Sequence, residues 1–294
     1  MTWSSAETVP AELPTLSEAL SLARAWGVER IDAQCLLTDL IGRPRTWLLT
    51  HDQDRLDPDQ ARRWIDRLER RADGVPVAYL TGRHEFHGLD LDVTPAVLDP
   101  RPDTETLVDW ALELLAQGGP APRVLDLGTG SGAIALALRC RAPAQTEVTA
   151  VDVSAEALAV AYRNGQRLGL PVRWLLGSWF EPVQVARLSG EISAGFDLIV
   201  SNPPYIAEGD PHLPALRHEP RLAFTSGPDG LDAIRHLIGH APAHLQPGGW
   251  LLFEHGFDQG PAVAALLQER GFTRITHRHD LSGHCRCTGG CFAV

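Results

Sequence analysis

The sequence predicts an α/β protein whose larger part is a doubly wound, mostly parallel sheet and whose first part is a small helical domain. Three observations support this prediction. From about residue 123 almost to the end, short apolar strands alternate with amphipathic helices, which is typical of βαβ units. A glycine-rich turn joins the first of these strands to its helix. Residues 15–73, in contrast, have only helical periodicity.

Composition limits the classes of protein to consider. The chain has 294 residues, 44% hydrophobic and 21% charged, enough for a full α/β domain and a smaller one. No apolar run is long enough to span a bilayer, and the start, Met1-Thr2-Trp3-Ser4, lacks the basic residues of a signal peptide. The five cysteines are odd in number, and Cys35 and Cys140 lie in predicted helices, which favours buried, reduced thiols over disulfides. We therefore expect a cytoplasmic protein without membrane contact.

The helical part begins at Thr15, which forms a capping-box start with Glu18 and is followed by apolar residues at helical spacing. Further helices are predicted over 30–41, 45–49 and 58–71. This part has no residues with obvious chemistry.

A β-hairpin is predicted next, because the apolar period falls to two between residues 78 and 98, from Tyr79 onward, with a turn at Gly88. Helical spacing resumes at Leu107, with Thr104 or Asp103 as the N-cap. Beyond it, strands are predicted at 123–127, 147–151, 172–176, 197–200, 250–254, 274–279 and near 291–294, and helices at 133–141, 155–168, 231–241 and 261–270. This alternation predicts the doubly wound sheet.

The first predicted strand of that sheet leads directly into the glycine loop Gly128-Thr129-Gly130-Ser131-Gly132 and a helix that begins at Ala133. Glycines at such a junction let a cofactor approach backbone N–H groups at the helix N-terminus. The same residues satisfy the G-x-G-x-x-A fingerprint of dinucleotide-binding proteins. Asp152 ends the next strand, where a carboxylate can bind ribose hydroxyls. The pattern predicts a nucleoside cofactor, which can be either a dinucleotide or S-adenosylmethionine.

Asp126, at the end of the first strand, separates the two cofactor classes. A carboxylate there would repel the pyrophosphate of a dinucleotide but would attract the amino-acid end of S-adenosylmethionine, which is therefore favoured. The alternative role for Asp126 is a helix N-cap. Trp179 and Phe180, after the third strand, are candidates for a wall against adenine, with core packing as the alternative.

The segment 196–205 is an apolar strand that stops at Asn202-Pro203-Pro204-Tyr205. Consecutive prolines lack N–H groups, so the backbone at Pro203 offers a carbonyl acceptor without a competing donor. Asn202 adds a side-chain carbonyl and Tyr205 adds a flat ring. Two acceptors and a plane suit an –NH2 group on a flat substrate, such as a carboxamide or the exocyclic amine of a nucleobase. The plain alternative is a proline-rich turn.

With the glycine loop, Asp152 and Asn202-Pro203-Pro204-Tyr205 in this order, the chain resembles the class I methyltransferases that act on planar amines. This resemblance implies their Rossmann-like fold, a doubly wound seven-stranded sheet. Within that class the chain resembles the release-factor glutamine methyltransferases, the HemK/PrmC family. The closer resemblance rests on residues 74–82, 85–89, 98–108, 126–132, 201–205, 218–223 and 254–256.

The resemblance implies methyl transfer from S-adenosylmethionine to the side-chain amide of the glutamine in the Gly-Gly-Gln loop of class 1 peptide chain release factors. The cofactor-binding residues it implies are Asp126, Gly128, Thr129, Gly130, Ser131, Gly132, Asp152, Trp179 and Asn202. The substrate-binding residues it implies are Arg101, Asn202, Pro203, Pro204 and Tyr205, of which Asn202, Pro203 and Tyr205 are catalytic. It also implies an N-terminal helical substrate-recognition domain (1–82), a hairpin and linker (83–108) and a methyltransferase domain (109–294).

Three other roles remain open. An amino-methyltransferase that acts on a flipped nucleic-acid base uses the same Asn-Pro-Pro-Tyr chemistry, but a formal net charge of −11 would repel a phosphate backbone. A sister group methylates a ribosomal-protein glutamine and resembles this chain less over residues 101–105. A nucleoside-binding interaction module would leave the Asn202-Pro203-Pro204-Tyr205 turn, called the acceptor turn below, unexplained. No direct contact with nucleic acid is expected.

The chain departs from the family pattern at three places. Asp99 stands where the family usually has an apolar residue, and Ser178 where many members carry an acidic residue beside the adenine. The tail 284–291 is rich in cysteine and lies near three histidines, but C-x-C-x3-C lacks the paired spacing of zinc sites, so no metal is expected.

Overall fold

Two compact units make up the chain, one ending at Arg83 and one beginning at His84. The computed structural model describes residues 13–192 and 195–293. The described residues of the first unit form five helices: α1 (Leu16–Ala25), α2 (Arg30–Ile41), α3 (Arg45–Thr50), α4 (Pro58–Ala72) and α5 (Val77–Thr81). The capping box predicted at Thr15 and Glu18 is confirmed. The buried Trp64 indole donates a hydrogen bond to the carbonyl of Ala19, 3.2 Å away, which ties α4 to α1.

Helix α5 corrects one prediction, because Tyr79 lies in this helix and not in a strand. Pro76 precedes the helix and Gly82, with φ +76°, ends it. A helix this short is defined by its two ends and carries too few residues for its periodicity to be read.

The predicted hairpin follows, with β1 (Arg83–Phe86), which begins at the last residue of the first unit, β2 (Leu89–Asp92) and a turn at Gly88. The other elements follow in the order α6 (Glu105–Ala116), β3 (Arg123–Leu127), α7 (Ala133–Arg141), β4 (Glu147–Asp152), α8 (Ala155–Leu168), β5 (Arg173–Leu176), α9 (Glu181–Leu188), β6 (Phe196–Ser201), α10 (Asp232–His240), β7 (Leu245–Glu254), α11 (Gly260–Glu269), β8 (Phe272–His279) and β9 (Cys285–Phe292). The alternation of strands and helices is therefore as predicted except for α9.

A seven-stranded sheet of order β5-β4-β3-β6-β7-β9-β8 organises this unit. Strands β5, β4, β3, β6 and β7 pair in parallel, and β9 pairs antiparallel with both β7 and β8. The chain runs outward from β3 to β5 and then crosses back to β6 beside β3. In open α/β sheets a crevice for ligands forms where the strand order reverses in this way.

Two element predictions need correction. The last strand begins at Cys285, well before the predicted 291–294, because its glycines and polar residues hide the alternation of a strand. Helix α9 was not predicted, since Pro182 in its first turn and the absence of a side-chain cap remove the usual start signal.

The core of the second unit lies between the sheet and α9, α10 and α11, which pack on one face. Sheet residues such as Leu125, Ile199 and Phe253 meet Val183 and Leu237 from these helices, and all five are fully buried. Burying one such side chain contributes about 1.5–3 kcal/mol. Helices α6, α7 and α8 contact the sheet outside this cluster.

The structure also tests two predictions from composition, the burial of the cysteines and the absence of a membrane-spanning helix. Cys35 and Cys140 are exposed, which corrects the expectation that they are buried, because both lie on outward positions of their helices. The five cysteines are free in the part of the chain that the structure describes. Within residues 13–192 and 195–293, no helix is both long and apolar enough to cross a bilayer.

Candidate active site

The predicted site residues converge at the carboxyl ends of β3 and β6, which are neighbours in the sheet. Asp126 of β3 pairs in register with Val200 of β6. The glycine loop follows β3 directly, and Asn202 follows β6 directly. The sheet therefore brings the predicted cofactor loop and the acceptor turn to the same edge, at the point where the strand order reverses.

The glycine loop depends on backbone conformations that favour glycine. Gly128, Gly130 and Gly132 have φ values of +78°, +56° and +84°, in the left-handed region. A Cβ atom at Gly130 would meet no atom within 4 Å, so space remains open beside this residue. The N–H groups of Gly128 and Thr129 both donate to the carbonyl of Val151, which joins the loop to β4.

Asp126 is completely buried at the base of this loop. Its Oδ2 atom accepts a 2.7 Å hydrogen bond from the Thr129 hydroxyl, and no described residue donates to its Oδ1 atom. Burial raises the pKa of Asp126 to about 7. Gly132 is the N-cap of α7, so the alternative of Asp126 as a helix cap is wrong. A buried carboxyl oxygen without a donor suits a cationic ligand.

Asp152, at the end of β4, is bound on both oxygens by backbone amides. Gly130 N–H donates to Oδ2 at 2.8 Å and Ser154 N–H donates to Oδ1 at 2.9 Å. Burial raises the pKa of Asp152, and these bonds oppose the shift. The carboxylate is half-buried, so it is both fixed in orientation and open to solvent on one side.

Apolar side chains lie exposed beside these carboxylates. Val153, directly after β4, and Leu176, at the end of β5, are each 55% exposed. Trp179 is half-buried, with φ +45°, and its ring packs 3.6 Å from where a Cβ of Gly128 would lie. Phe180 is buried and stacks on His244, so it belongs to the core. Sequence reasoning missed Val153 and Leu176, although exposed apolar residues at adjacent strand ends are a readable signal for a flat ligand.

The acceptor turn is anchored at both ends. Asn202 Nδ2 donates to the Thr104 hydroxyl at 3.2 Å, and the Tyr205 hydroxyl donates to Glu254 Oε1 at 3.3 Å. Pro203 is buried and Pro204 half-buried. Among the described residues, none donates a hydrogen bond to Asn202 Oδ1 or to the carbonyl oxygen of Pro203. These two acceptors are therefore available to a ligand.

Sequence reasoning assigned no role to Glu254, which ends β7 and is 1% exposed. Ser201 pairs with Phe253, so the next residues along, Asn202 and Glu254, are neighbours at the same edge. Burial raises the pKa of Glu254 to about 7, while hydrogen bonding from Thr104 and Tyr205 opposes the shift. The signal that could have found it is an acidic residue at the end of a strand that adjoins the acceptor turn.

Arg101 is held in an acidic pair. Its Nη2 atom lies 2.6 Å from Glu219 Oε1 and its Nη1 atom lies 3.8 Å from Asp99 Oδ2. Asp99 is buried and also contacts His84 Nδ1 at 2.7 Å. The acidic residue that departs from the family pattern thus has a structural partner in Arg101 and His84.

The cysteine-rich tail forms part of the sheet. Cys287 and Cys291 are buried in β9, and Thr288 between them accepts or donates hydrogen bonds with His255 and His277. Over the described residues, no group of three or more His, Cys, Asp or Glu side chains has the arrangement of a metal site. Ser178 lies half-buried just before Trp179.

Comparison with known proteins identifies the family. The PrmC N-terminal domain model matches residues 16–82, and the methyltransferase small domain model matches residues 104–218. A release factor glutamine methyltransferase of Bordetella pertussis is 50% identical over 266 residues, 90% of this chain and 95% of the relative. One of Pseudomonas aeruginosa is 46% identical over 267 residues, 90% and 93% of the two chains.

Solved structures support the fold independently. A methyltransferase from Pyrococcus furiosus superposes with a TM-score of 0.51 at 20% identity, covering 78% of this chain and 99% of that chain. This likeness confirms the predicted methyltransferase fold but does not indicate the substrate. The identities above 45% over nine-tenths of the chain go further, and they show that this chain belongs to the release factor glutamine methyltransferase family.

Proposed function

We propose that this chain transfers a methyl group from S-adenosylmethionine to the side-chain amide nitrogen of the glutamine in the Gly-Gly-Gln loop of class 1 peptide chain release factors. The observation that carries the proposal is the pair of available acceptors, Asn202 Oδ1 and the Pro203 carbonyl. They lie beside the glycine loop, at the end of the strand next to β3. The family name agrees with this substrate.

The residues around the glycine loop fit S-adenosylmethionine. The buried Asp126 Oδ1 atom, which has no donor among the described residues, suits the ammonium of the amino-acid end. Asp152 suits the ribose, and the exposed Val153 and Leu176 side chains suit a flat apolar base. When bound, the cofactor supplies a methyl group on a positively charged sulfur. The open space beside Gly130 gives it access to the backbone.

The protein's part in the reaction is to hold and orient the substrate amide. An amide nitrogen is a poor nucleophile because its lone pair is delocalised, the resonance that gives a rotation barrier of roughly 18–20 kcal/mol. If Asn202 Oδ1 and the Pro203 carbonyl each accept one N–H, the nitrogen is held with its remaining face directed at the methyl group. The same acceptors stabilise positive charge as it develops on nitrogen. Once methylated and positively charged, the nitrogen readily loses one N–H proton to solvent, so no general base is required.

Tyr205 and Arg101 complete the proposed substrate contacts. The Tyr205 ring would stack on the flat amide, with its hydroxyl fixed by Glu254. Arg101, which Glu219 and Asp99 hold at the border of the site, would contact the loop that carries the glutamine. We further propose that residues 1–82 recognise the release factor, that 83–108 link the two parts, and that 109–294 catalyse transfer, in the cytoplasm.

The decisive experiment compares substrates under one set of conditions. The full chain is incubated with radiolabelled S-adenosylmethionine and, separately, a release factor, the same factor with its loop glutamine changed to glutamate, ribosomal proteins, RNA and DNA. We expect label in the unaltered release factor only. Label in RNA or DNA that falls steeply with salt would support the nucleobase alternative instead. Label in a ribosomal protein would support the sister activity.

A further inference from the structure

Two buried residues behind the acceptor turn have no assigned task. Glu254 is 1% exposed and accepts a hydrogen bond from the Tyr205 hydroxyl. Thr104 is 4% exposed and stands at the N-cap of α6, where a threonine hydroxyl normally caps the helix. Its hydroxyl makes no such cap bond, and Asn202 Nδ2 donates to it instead. Thr104 ends a 3-10 turn that leads directly into α6 and has helical φ and ψ, so its hydroxyl is not used as a cap and serves Asn202 instead.

The charge on Glu254 determines which groups of this cluster donate hydrogen bonds and which accept them. An ionised carboxylate can only accept, so Glu254 requires the hydroxyls around it to donate. The Thr104 hydroxyl lies near enough to the Glu254 carboxyl to lower its pKa, although it donates no hydrogen bond of standard geometry to either Glu254 oxygen. When Glu254 is ionised its charge attracts the Thr104 proton, which leaves the Thr104 oxygen as the acceptor of the observed bond from Asn202 Nδ2. The Asn202 amide must then turn its nitrogen to Thr104 and its oxygen outward.

We propose that Thr104 and Glu254 are positioning residues that fix the orientation of the Asn202 amide and so make the site select a glutamine amide over a glutamate carboxylate. This inference rests on the function proposed above. The two ends of an asparagine amide have nearly the same shape, and the network around them determines which end faces a ligand. Reversed, Asn202 would present N–H groups, which would favour a carboxylate and oppose an –NH2 group.

The charge on Glu254 controls this arrangement. The groups that face Glu254 are Arg286 and Cys287 of β9, Asp103 before α6, and the Thr104 and Tyr205 hydroxyls. Arg286 favours the ionised form, whereas burial and Asp103 oppose it. A protonated Glu254 can donate to Thr104, which frees the Thr104 proton to turn toward Asn202 Oδ1. The reversed amide then becomes possible, so turnover should rise as Glu254 ionises.

The test uses the full chain and four variants. Thr104→Val removes the hydroxyl at constant shape, Thr104→Ser keeps it, and Glu254→Gln removes the charge. Thr146→Val is the matched control, because Thr146 is also buried, at 3% exposure, and its hydroxyl has no hydrogen-bond partner among the described residues. Each protein is assayed for kcat and KM with a release factor and for S-adenosylmethionine affinity. Inhibition by the glutamine-to-glutamate release factor is measured as well.

We expect Thr104→Val to lower kcat by roughly 10- to 100-fold, the range of one lost buried hydrogen bond, with S-adenosylmethionine affinity unchanged. The glutamate release factor should inhibit Thr104→Val more strongly, relative to substrate, than it inhibits the unaltered enzyme. Thr104→Ser should restore both values, and Thr146→Val should match the unaltered enzyme. Glu254→Gln should lose the rise of kcat between about pH 6 and pH 8 that the charged residue produces.

Two results would overturn the inference alone. One is full activity of Thr104→Val, and the other is equal loss in Thr104→Ser, which would indicate a packing role. Failure of the unaltered chain to methylate any release factor would overturn the proposed function, and this inference with it. The two failures are therefore distinguishable in one set of assays.

Discussion

The Ser201 hydroxyl donates a 2.6 Å hydrogen bond to the carbonyl oxygen of Leu127, and both residues are fully buried. Leu127 is the last residue of β3 and Ser201 the last of β6. The glycine loop begins directly after the first, and Asn202 follows the second. This bond therefore fixes the spacing between the loop that fits the cofactor and the turn that fits the amide.

Removing that bond should weaken the fold and the site together. Ser201→Ala should lower the free energy of unfolding by about 1–3 kcal/mol, because a buried carbonyl loses its side-chain partner. Urea unfolding measures this change. Ser189→Ala is the control, since Ser189 is exposed and its loss should stay within about 0.5 kcal/mol. Equal stability of the two variants would mean that the bond contributes nothing.

The buried carboxyl of Asp126 should make stability depend on pH. Its folded-state pKa, raised to about 7 from 3.8, means that the folded protein binds this proton more tightly than the unfolded chain. The contribution to stability is therefore largest below about pH 4 and falls as pH rises to about 7. Relative to Asp126→Asn, the unaltered protein should lose up to about 4 kcal/mol across this range. Urea unfolding of both proteins at several pH values measures the difference. A constant difference from pH 4 to pH 8 would contradict the burial argument.

Ionisation of Asp126, which lowers stability, should strengthen cofactor binding. Calorimetric titration with S-adenosylmethionine should give tighter binding at pH 8 than at pH 6, because the charged Asp126 attracts the ammonium group. In Asp126→Asn the affinity should fall about tenfold or more at pH 8 and lose this pH dependence. If the two proteins bind equally at pH 8, Asp126 does not contact the cofactor.

Alanine substitutions at two glycines distinguish the effect of backbone strain from the loss of cofactor contact. Gly130 and Gly169 have φ values of +56° and +66°, and a Cβ atom at either would meet nothing within 4 Å. Alanine at each should cost about 1–2 kcal/mol of strain. Only Gly130→Ala should also weaken S-adenosylmethionine binding, because its Cβ would enter the open space beside the loop through which the cofactor reaches the backbone. Similar losses of affinity in both variants would show that strain alone is responsible.

Sequence reasoning was most successful where the signal is local. The glycine loop and the Asn202-Pro203-Pro204-Tyr205 turn each follow a short buried strand and Asp152 ends another, and parallel strands bring their carboxyl ends to one edge. Helix α9 and the start of β9 were missed because Pro182 and the glycines of β9 mask the usual patterns. Their placement depends on packing against the sheet, which the periodicity of one segment does not contain.

The residues that hydrogen-bond to the site residues could not be predicted from local sequence patterns. Thr104 precedes Asn202 by 98 residues and Glu254 follows Tyr205 by 49, so only the sheet order shows that they meet. Thr104 or Asp103 was predicted as the helix cap, the usual role for these residue types at that position. The structure corrects that role, because Thr104 has helical φ and ψ and makes no cap bond, and its hydroxyl accepts a hydrogen bond from Asn202 instead. Strand register would have been needed to find either contact.

Single-turnover methylation by Asn202→Ala tests the central claim most directly. The release factor and labelled S-adenosylmethionine are held at saturation, and cofactor affinity and urea unfolding are measured alongside. Because one of the two proposed acceptors is lost, transfer at saturating cofactor should slow by roughly 100- to 1000-fold while the protein stays folded. Transfer within about twofold of the unaltered enzyme would contradict the claim that this amide oxygen holds the reacting nitrogen.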